Sequence, residues 1–89
     1  MAQTFTKDSN AILDYQINWA TWLDTDTIVT STWTVPTGIT KVSDTNTTTT
    51  TTIWVSGGTA GSAYTLVNRI TTTDGRTEDR SIILYVEDR

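Results

Sequence analysis

The chain has no cysteine, no histidine, a single proline and only six basic residues in 89. Each shortage closes off a class of protein. Without cysteine there is neither a disulfide framework nor a thiolate metal site. A domain of this length buries only about 60–65% of the surface its unfolded chain exposes, so a compact core, a partner, or both must hold it. Without histidine and cysteine, the commonest general base and the commonest thiol nucleophile are missing. The cations Lys7, Lys41, Arg69, Arg76, Arg80 and Arg89 are scattered, the net charge is −4 and the isoelectric point lies near 4.3. That argues against nucleic-acid binding, which needs clustered Lys and Arg. No segment approaches the roughly 20 apolar residues of a membrane span, and residues 1–7 carry no apolar run of signal-peptide length. The expectation is one domain made in a cytoplasm, with neither nucleic acid nor membrane among its partners.

What is abundant is threonine, 23 residues of 89. It is β-branched, stiff at χ1 and suited to a pleated, half-solvated surface. Here it is interleaved with Ile, Val, Trp and Tyr, which disordered segments lack, so an all-β domain with threonine-rich solvent faces is expected. Residues 12–19 alternate, with Leu13, Tyr15, Ile17 and Trp19 on one face and Asp14, Gln16 and Asn18 on the other. Residues 20–26 break the alternation and read as a loop or a single helical turn. Residues 27–35 alternate again, Val29, Trp33 and Val35 against Thr30, Thr32 and Thr34, with Ile28 out of step at the start. Pro36-Thr37-Gly38 signals a turn, and residues 39–43 a short strand suited to an edge.

The run Thr47 to Thr52, followed by Ile53-Trp54-Val55, reads either as a disordered spacer or as half a strand. Nothing in it breaks a strand. The alternation puts Thr52, Thr50 and Thr48 on the face of Trp54, and Thr51 and Thr49 on that of Ile53 and Val55, so the turn is expected at 44–46 and the strand at 48–56. After the glycine-rich residues 57–61 come two longer alternating runs, 63–73 and 76–86, joined by Asp74-Gly75. Asp-Gly between alternating runs points to a hairpin with a type I′ turn. A turn centred there sets Arg69 opposite Arg80, two like charges that repel unless a carboxylate lies close.

These runs fit an all-β, small immunoglobulin-like β-sandwich of about seven antiparallel strands over residues 12–89, preceded by an extended polar arm over 1–11. Tyr64, at the start of the penultimate strand, sits where such folds place a tyrosine corner. There is no Cys…Trp…Cys pattern, so the domain is not of the antibody type.

Nothing frames an active site. Ser9 or Ser43 with Lys41 lacks an elbow motif. The carboxylate pairs Asp24 with Asp26 and Glu78 with Asp79 read as acidic loop residues, and Asp24-Thr25-Asp26 lacks the twelve-residue calcium loop. Asn46-Thr47-Thr48 matches a glycosylation acceptor, which means little without a secretory signal. Neither an enzyme activity nor a cofactor is expected. Trp33 and Trp54 read as core. Trp19 and Trp22 bracket a strand end, one as core and the other as contact surface, and which is which stays open. Phe5, alone in the polar arm, inserts into a neighbour or packs back across its own sandwich.

Phe5, Lys7-Asp8, Leu13-Asp14-Tyr15, Trp19, Trp22-Leu23, Trp33, Trp54, Gly58, Gly61, Tyr64, Asn68-Arg69-Ile70 and Gly75-Arg76 form a pattern. With the closing hydrophobic strand, it resembles that of small phage and prophage fibre–tail adaptors, over nearly the whole chain. Ser9 stands where that family usually has proline, which loosens the segment before the strand at residue 12. The resemblance implies a non-enzymatic virion component at the head–tail or tail–fibre junction, made in the bacterial cytoplasm. Other virion proteins, among them tail, collar or fibre subunits, are then the partners, met in multiple copies. Phe5, Lys7, Asp8, Trp19, Trp22, Arg69, Arg76 and Arg80 are the candidate partner contacts. The alternative is a carbohydrate-binding immunoglobulin-like module that recognises host surface polysaccharide, which needs two or three coplanar exposed aromatics on one face.

Overall fold

A computed structural model describes residues 2–87. The strands are β1 (Ala2–Asp8), β2 (Leu13–Asn18), β3 (Ile28–Thr34), β4 (Ile39–Asn46), β5 (Thr50–Gly57), β6 (Ala63–Thr72) and β7 (Thr77–Glu87). One helical turn, α1 (Ala20–Leu23), separates β2 from β3. The strands form two sheets, ordered β1-β7-β6-β3 and β2-β5-β4. The period-two pattern explains the burial. Tyr15 and Ile17 of β2, Ile53 and Val55 of β5, Leu66 and Ile70 of β6, and Ile82 and Leu84 of β7 point inward into one core. Each fully buried Leu or Ile side chain contributes on the order of 1.5–3 kcal/mol over its exposed state.

The threonine run is half turn and half strand. The turn falls at 47–49, later than expected, because Thr47 caps it: its Oγ1 accepts the N–H groups of Thr49 (3.2 Å) and Thr50 (3.0 Å). The carbonyls of Thr48 and Thr49 accept the N–H groups of Ile28 and Trp19, both at 2.9 Å, which ties this turn to the start of β3 and to α1. From Thr50 the run is the central strand of its sheet, and Thr51 is fully buried. Its alternation with Ile53 and Val55 turns Trp54 outward, 40% exposed, so the core reading of Trp54 is corrected. In β3 the pairing slips between Ile28 and Thr30. The extra residue of this bulge is Val29, which stands exposed while Ile28 is buried, the reverse of the expected facing.

The β6–β7 hairpin also differs from expectation. Thr72 N–H donates to Arg76 O (2.9 Å) and Gly75 N–H to Thr72 O (3.0 Å), so three residues, 73–75, make the loop. Gly75 supplies the positive φ of 87° that a three-residue loop with a terminal bulge requires. A loop one residue longer than a type I′ turn shifts the register by one: Arg69 faces Asp79, not Arg80.

The first residues join the sheet. β1 runs parallel to β7, with Phe5 opposite Leu84 and Lys7 opposite Val86, so not every strand pair is antiparallel. Phe5 packs back on its own domain, its ring 5.0 Å from that of Tyr15.

At the loop end that joins β5 to β6, Tyr64 Oη accepts the Thr59 N–H at 2.9 Å, the local bond of a tyrosine corner. Gly58 passes so close to β7 that a Cβ there would lie 2.8 Å from Val86 Cγ2, and its φ is +99°.

Candidate functional site

Four of the eight candidate contact residues, Trp19, Trp22, Arg76 and Arg80, gather at the end formed by α1 and the β6–β7 turn. Asn18 Oδ1 accepts the Ala20 N–H (2.9 Å) as α1 starts, and Asp24, at φ 57°, stops it after one turn. The short turn places Trp19 beneath and Trp22 above, with ring centroids 5.5 Å apart and planes at 72°. Trp19 is 0% exposed and Trp22 half-buried, which decides which of the two lies nearer the surface.

Two arginines from the hairpin close this end over the tryptophans. The Arg76 guanidinium lies 4.2 Å from the Trp22 ring centre, donates from Nε to Asp26 Oδ2 (3.0 Å) and from Nη2 to Leu23 O (3.1 Å). Arg80 lies 4.4 Å from the Trp19 ring centre and donates from Nη1 to Asn18 O (3.3 Å). Such stacking gives a cation a weakly hydrated seat on an aromatic face. Asp26 is buried and its Oδ1 accepts the N–H groups of Thr27 (2.8 Å) and Asp74 (3.1 Å). Burial alone would raise its pKa. The hydrogen bonds from Thr72, Thr27, Arg76 and Asp74 outweigh that and hold it at about 2. Both Asp26 oxygens are thus occupied by the chain's own donors, whereas the sequence offered Asp24 and Asp26 only as a loose carboxylate pair.

Beneath this cap lies a polar core that sequence reasoning missed. Asn68 is fully buried and uses both ends of its amide. Its Oδ1 accepts from Trp19 Nε1 (3.1 Å) and Thr51 Oγ1 (2.7 Å), and its Nδ2 donates to Ser31 Oγ (2.9 Å) and Thr32 O (3.0 Å). One side chain therefore joins β6 to β5, β3 and the start of α1. The signal was present: Asn68 stands at an inward position of an alternating strand, and a polar group there must find partners.

The remaining candidates lie apart. Arg69 forms a two-point pair with Asp79, Nε to Oδ1 at 2.8 Å and Nη2 to Oδ2 at 3.0 Å, on the outer face of the hairpin. The hydrogen bonds from Arg69 hold the Asp79 carboxyl below its ordinary value. Both side chains are largely exposed, so screening leaves the pair little weight in stability. Arg69 and Arg80 do not meet. Lys7 is 0% exposed, with Nζ donating to Gly57 O (2.7 Å) and Asp8 O (2.8 Å). Burial pushes its ammonium below the ordinary lysine pKa, against the opposing pull of the Asp8 carboxylate. Asp8 Oδ1 accepts the Asn10 N–H at 3.0 Å. Among the candidates, then, Phe5, Lys7 and Trp19 face inward, Arg76 and Arg80 cover one end, and Arg69 lies outside.

Two sheets around one core, braced at one end by arginines on tryptophans and at the other by a tyrosine among glycines, define a small self-braced all-β domain. The sequence model of a family described as podophage GP4 fiber-tail adaptor protein gp77 matches residues 7–85. That is nearly the whole chain, and the chain belongs to this family. The resemblance carried by the Trp, Gly and Arg pattern is thereby shown. No curated protein gives a significant match to the chain.

Proposed function

We propose that this protein is a non-enzymatic structural component of the phage virion, seated where fibre meets tail and bound there to tail, collar or fibre subunits. The observation that carries this reading is the family match over residues 7–85. Several features support it. Asp26, the most strongly perturbed carboxylate, is spent on its own frame. The polar groups of Asn68, Thr51 and Trp19 satisfy one another in the core. The domain is made in the host cytoplasm and taken into the particle in several copies.

The frame is, in this reading, an immunoglobulin-type sandwich. In its favour, β3-β6-β7 and β2-β5-β4 correspond to the two sheets of that fold, Trp33 is buried on the third strand, and Tyr64 opens the sixth. β1 departs from the constant-domain pattern by joining β7 and not β2. Saccharide binding gains nothing from the exposed aromatics Trp54 and Tyr85, which point away from opposite sheets. Deleting the gene from the phage tests the reading. Particles should assemble heads and tails but lack fibres, and supplying the protein in trans should restore them. Fully fibred particles without the protein would overturn it.

A further inference from the structure

The outer face of β2-β5-β4 carries one large exposed aromatic, Trp54, at the middle of its central strand. Asp14 of β2 is its partner in register. Residues directly opposite on antiparallel strands project on the same side. The adjoining pair, Tyr15 with Ile53, is buried, so Trp54 and Asp14 both point to solvent. On the other flank Ser43 of β4 pairs with Trp54. Asp14 makes no ion pair among the described residues. No cation of the described residues lies over the Trp54 ring.

The same three chemical groups are complete elsewhere in this molecule. At the α1 end an indole (Trp22) and a carboxylate (Asp26) receive one guanidinium, 4.2 Å from the ring centre and 3.0 Å from the carboxylate oxygen. On the outer face of β2-β5-β4 the indole of Trp54 and the carboxylate of Asp14 stand side by side, and no cation of the described residues pairs with either. We infer that Trp54 and Asp14 form a receptor for an arginine side chain of a neighbouring virion protein, a proposal that rests on the adaptor reading above. The guanidinium stacks on the indole face and pairs with the Asp14 carboxylate, as Arg76 does within the chain. Charge favours this occupant: the chain carries −4 overall, and Lys41, the nearest cation in sequence on β4, is already held by Asp44 at 3.0 Å. Tryptophan and arginine dominate the energetics of protein interfaces, and a planar guanidinium satisfies ring and carboxylate together where an ammonium does not.

The test uses phage particles assembled with wild-type protein or with Trp54→Ala, Trp54→Phe or Asp14→Asn. Incorporation is quantified by mass spectrometry of purified particles, and thermal melts of the free variants verify the fold. Trp54→Ala should lower incorporation at least tenfold and Asp14→Asn several-fold, with Trp54→Phe between wild type and Trp54→Ala. Wild-type protein should be stripped from particles by salt more readily than Asp14→Asn, relative to its starting occupancy. A photo-cross-linker at Ser43 should capture an arginine-containing peptide of another virion protein. Normal incorporation of both Trp54→Ala and Asp14→Asn would overturn the proposal and leave the adaptor reading standing. Wild-type protein missing from particles would overturn both. Quenching of Trp54 by host polysaccharide, or cross-linking of Ser43 only to a second copy of this chain, would assign the face to a different occupant.

Discussion

The two ends of the domain are closed by opposite means. At the end bearing Gly58 and Tyr64, the backbone does the closing: the chain packs against Val86 at a distance only glycine permits, and a tyrosine hydroxyl receives one backbone N–H. At the end bearing α1 and the β6–β7 turn, side chains do it, through Asp26, Arg76, Arg80 and two tryptophans. The first end is therefore sensitive to added atoms, and its one buried charge among the candidates, Lys7, is held by the Gly57 carbonyl. The second responds to protonation, because the Asp26 carboxylate anchors it. Between them the buried amide of Asn68 binds the sheets together.

The largest effect is expected at that junction. Asn68→Leu removes the acceptor shared by Trp19 Nε1 and Thr51 Oγ1. Trp19 keeps Thr51 Oγ1 at 3.2 Å, but the Thr51 hydroxyl loses its acceptor, at a cost of roughly 1–3 kcal/mol for a stranded buried donor. Chemical denaturation should register it as a lowered midpoint with an unchanged slope. A loss below about 0.5 kcal/mol, well under the cost of one stranded group, would mean that the Thr51 hydroxyl finds another acceptor in the variant.

At the glycine end, Gly58→Ala should cost about 1–3 kcal/mol, because φ is +99° and the new methyl meets Val86 Cγ2. Trimming the obstacle sharpens this prediction. In a Val86→Ala background the steric part disappears and the backbone part remains, so the penalty of Gly58→Ala should shrink without vanishing. Equal penalties in both backgrounds would place the whole cost in the backbone.

How much of this was legible beforehand follows from what each feature depends on. The strands were readable because alternation needs only local sequence: Tyr15 and Ile17, Ile53 and Val55, and Ile82 and Leu84 point as their spacing says. The outward turn of Trp54 was implied by the same alternation and was outweighed by the habit of assigning tryptophan to the core. The length of the β6–β7 loop was not readable, since Asp74-Gly75 suits two loops and only the hydrogen bonds of Thr72 choose between them. Nor was the burial of Lys7, which depends on β1 lying beside β7, a pairing of segments about 80 positions apart along the chain. The cap at the α1 end failed to appear for the same reason: Asp26 and Arg76 are 50 residues apart.

The charged end should separate from the glycine end in acid. Asp26 has a folded pKa of about 2 against an ordinary 3.8, so its ionised form is favoured by folding. That stability is fully present above the ordinary value and is lost as pH falls from about 4 towards 2. Melting temperatures of the wild type should fall across this window, and those of Asp26→Asn should fall less. Parallel curves would mean that other carboxylates carry the dependence. The smallest effect belongs to Arg69→Ala on the outer face, where the exposed pair with Asp79 should leave the melting temperature unresolved from wild type.

A reconstruction of the intact particle by electron cryomicroscopy should show this domain at the junction of fibre and tail, with Trp54 of the β2-β5-β4 face stacked against an arginine of a neighbouring subunit and Asp14 beside it. Density for the domain lying elsewhere in the particle, or at the junction with Trp54 open to solvent, would contradict that expectation.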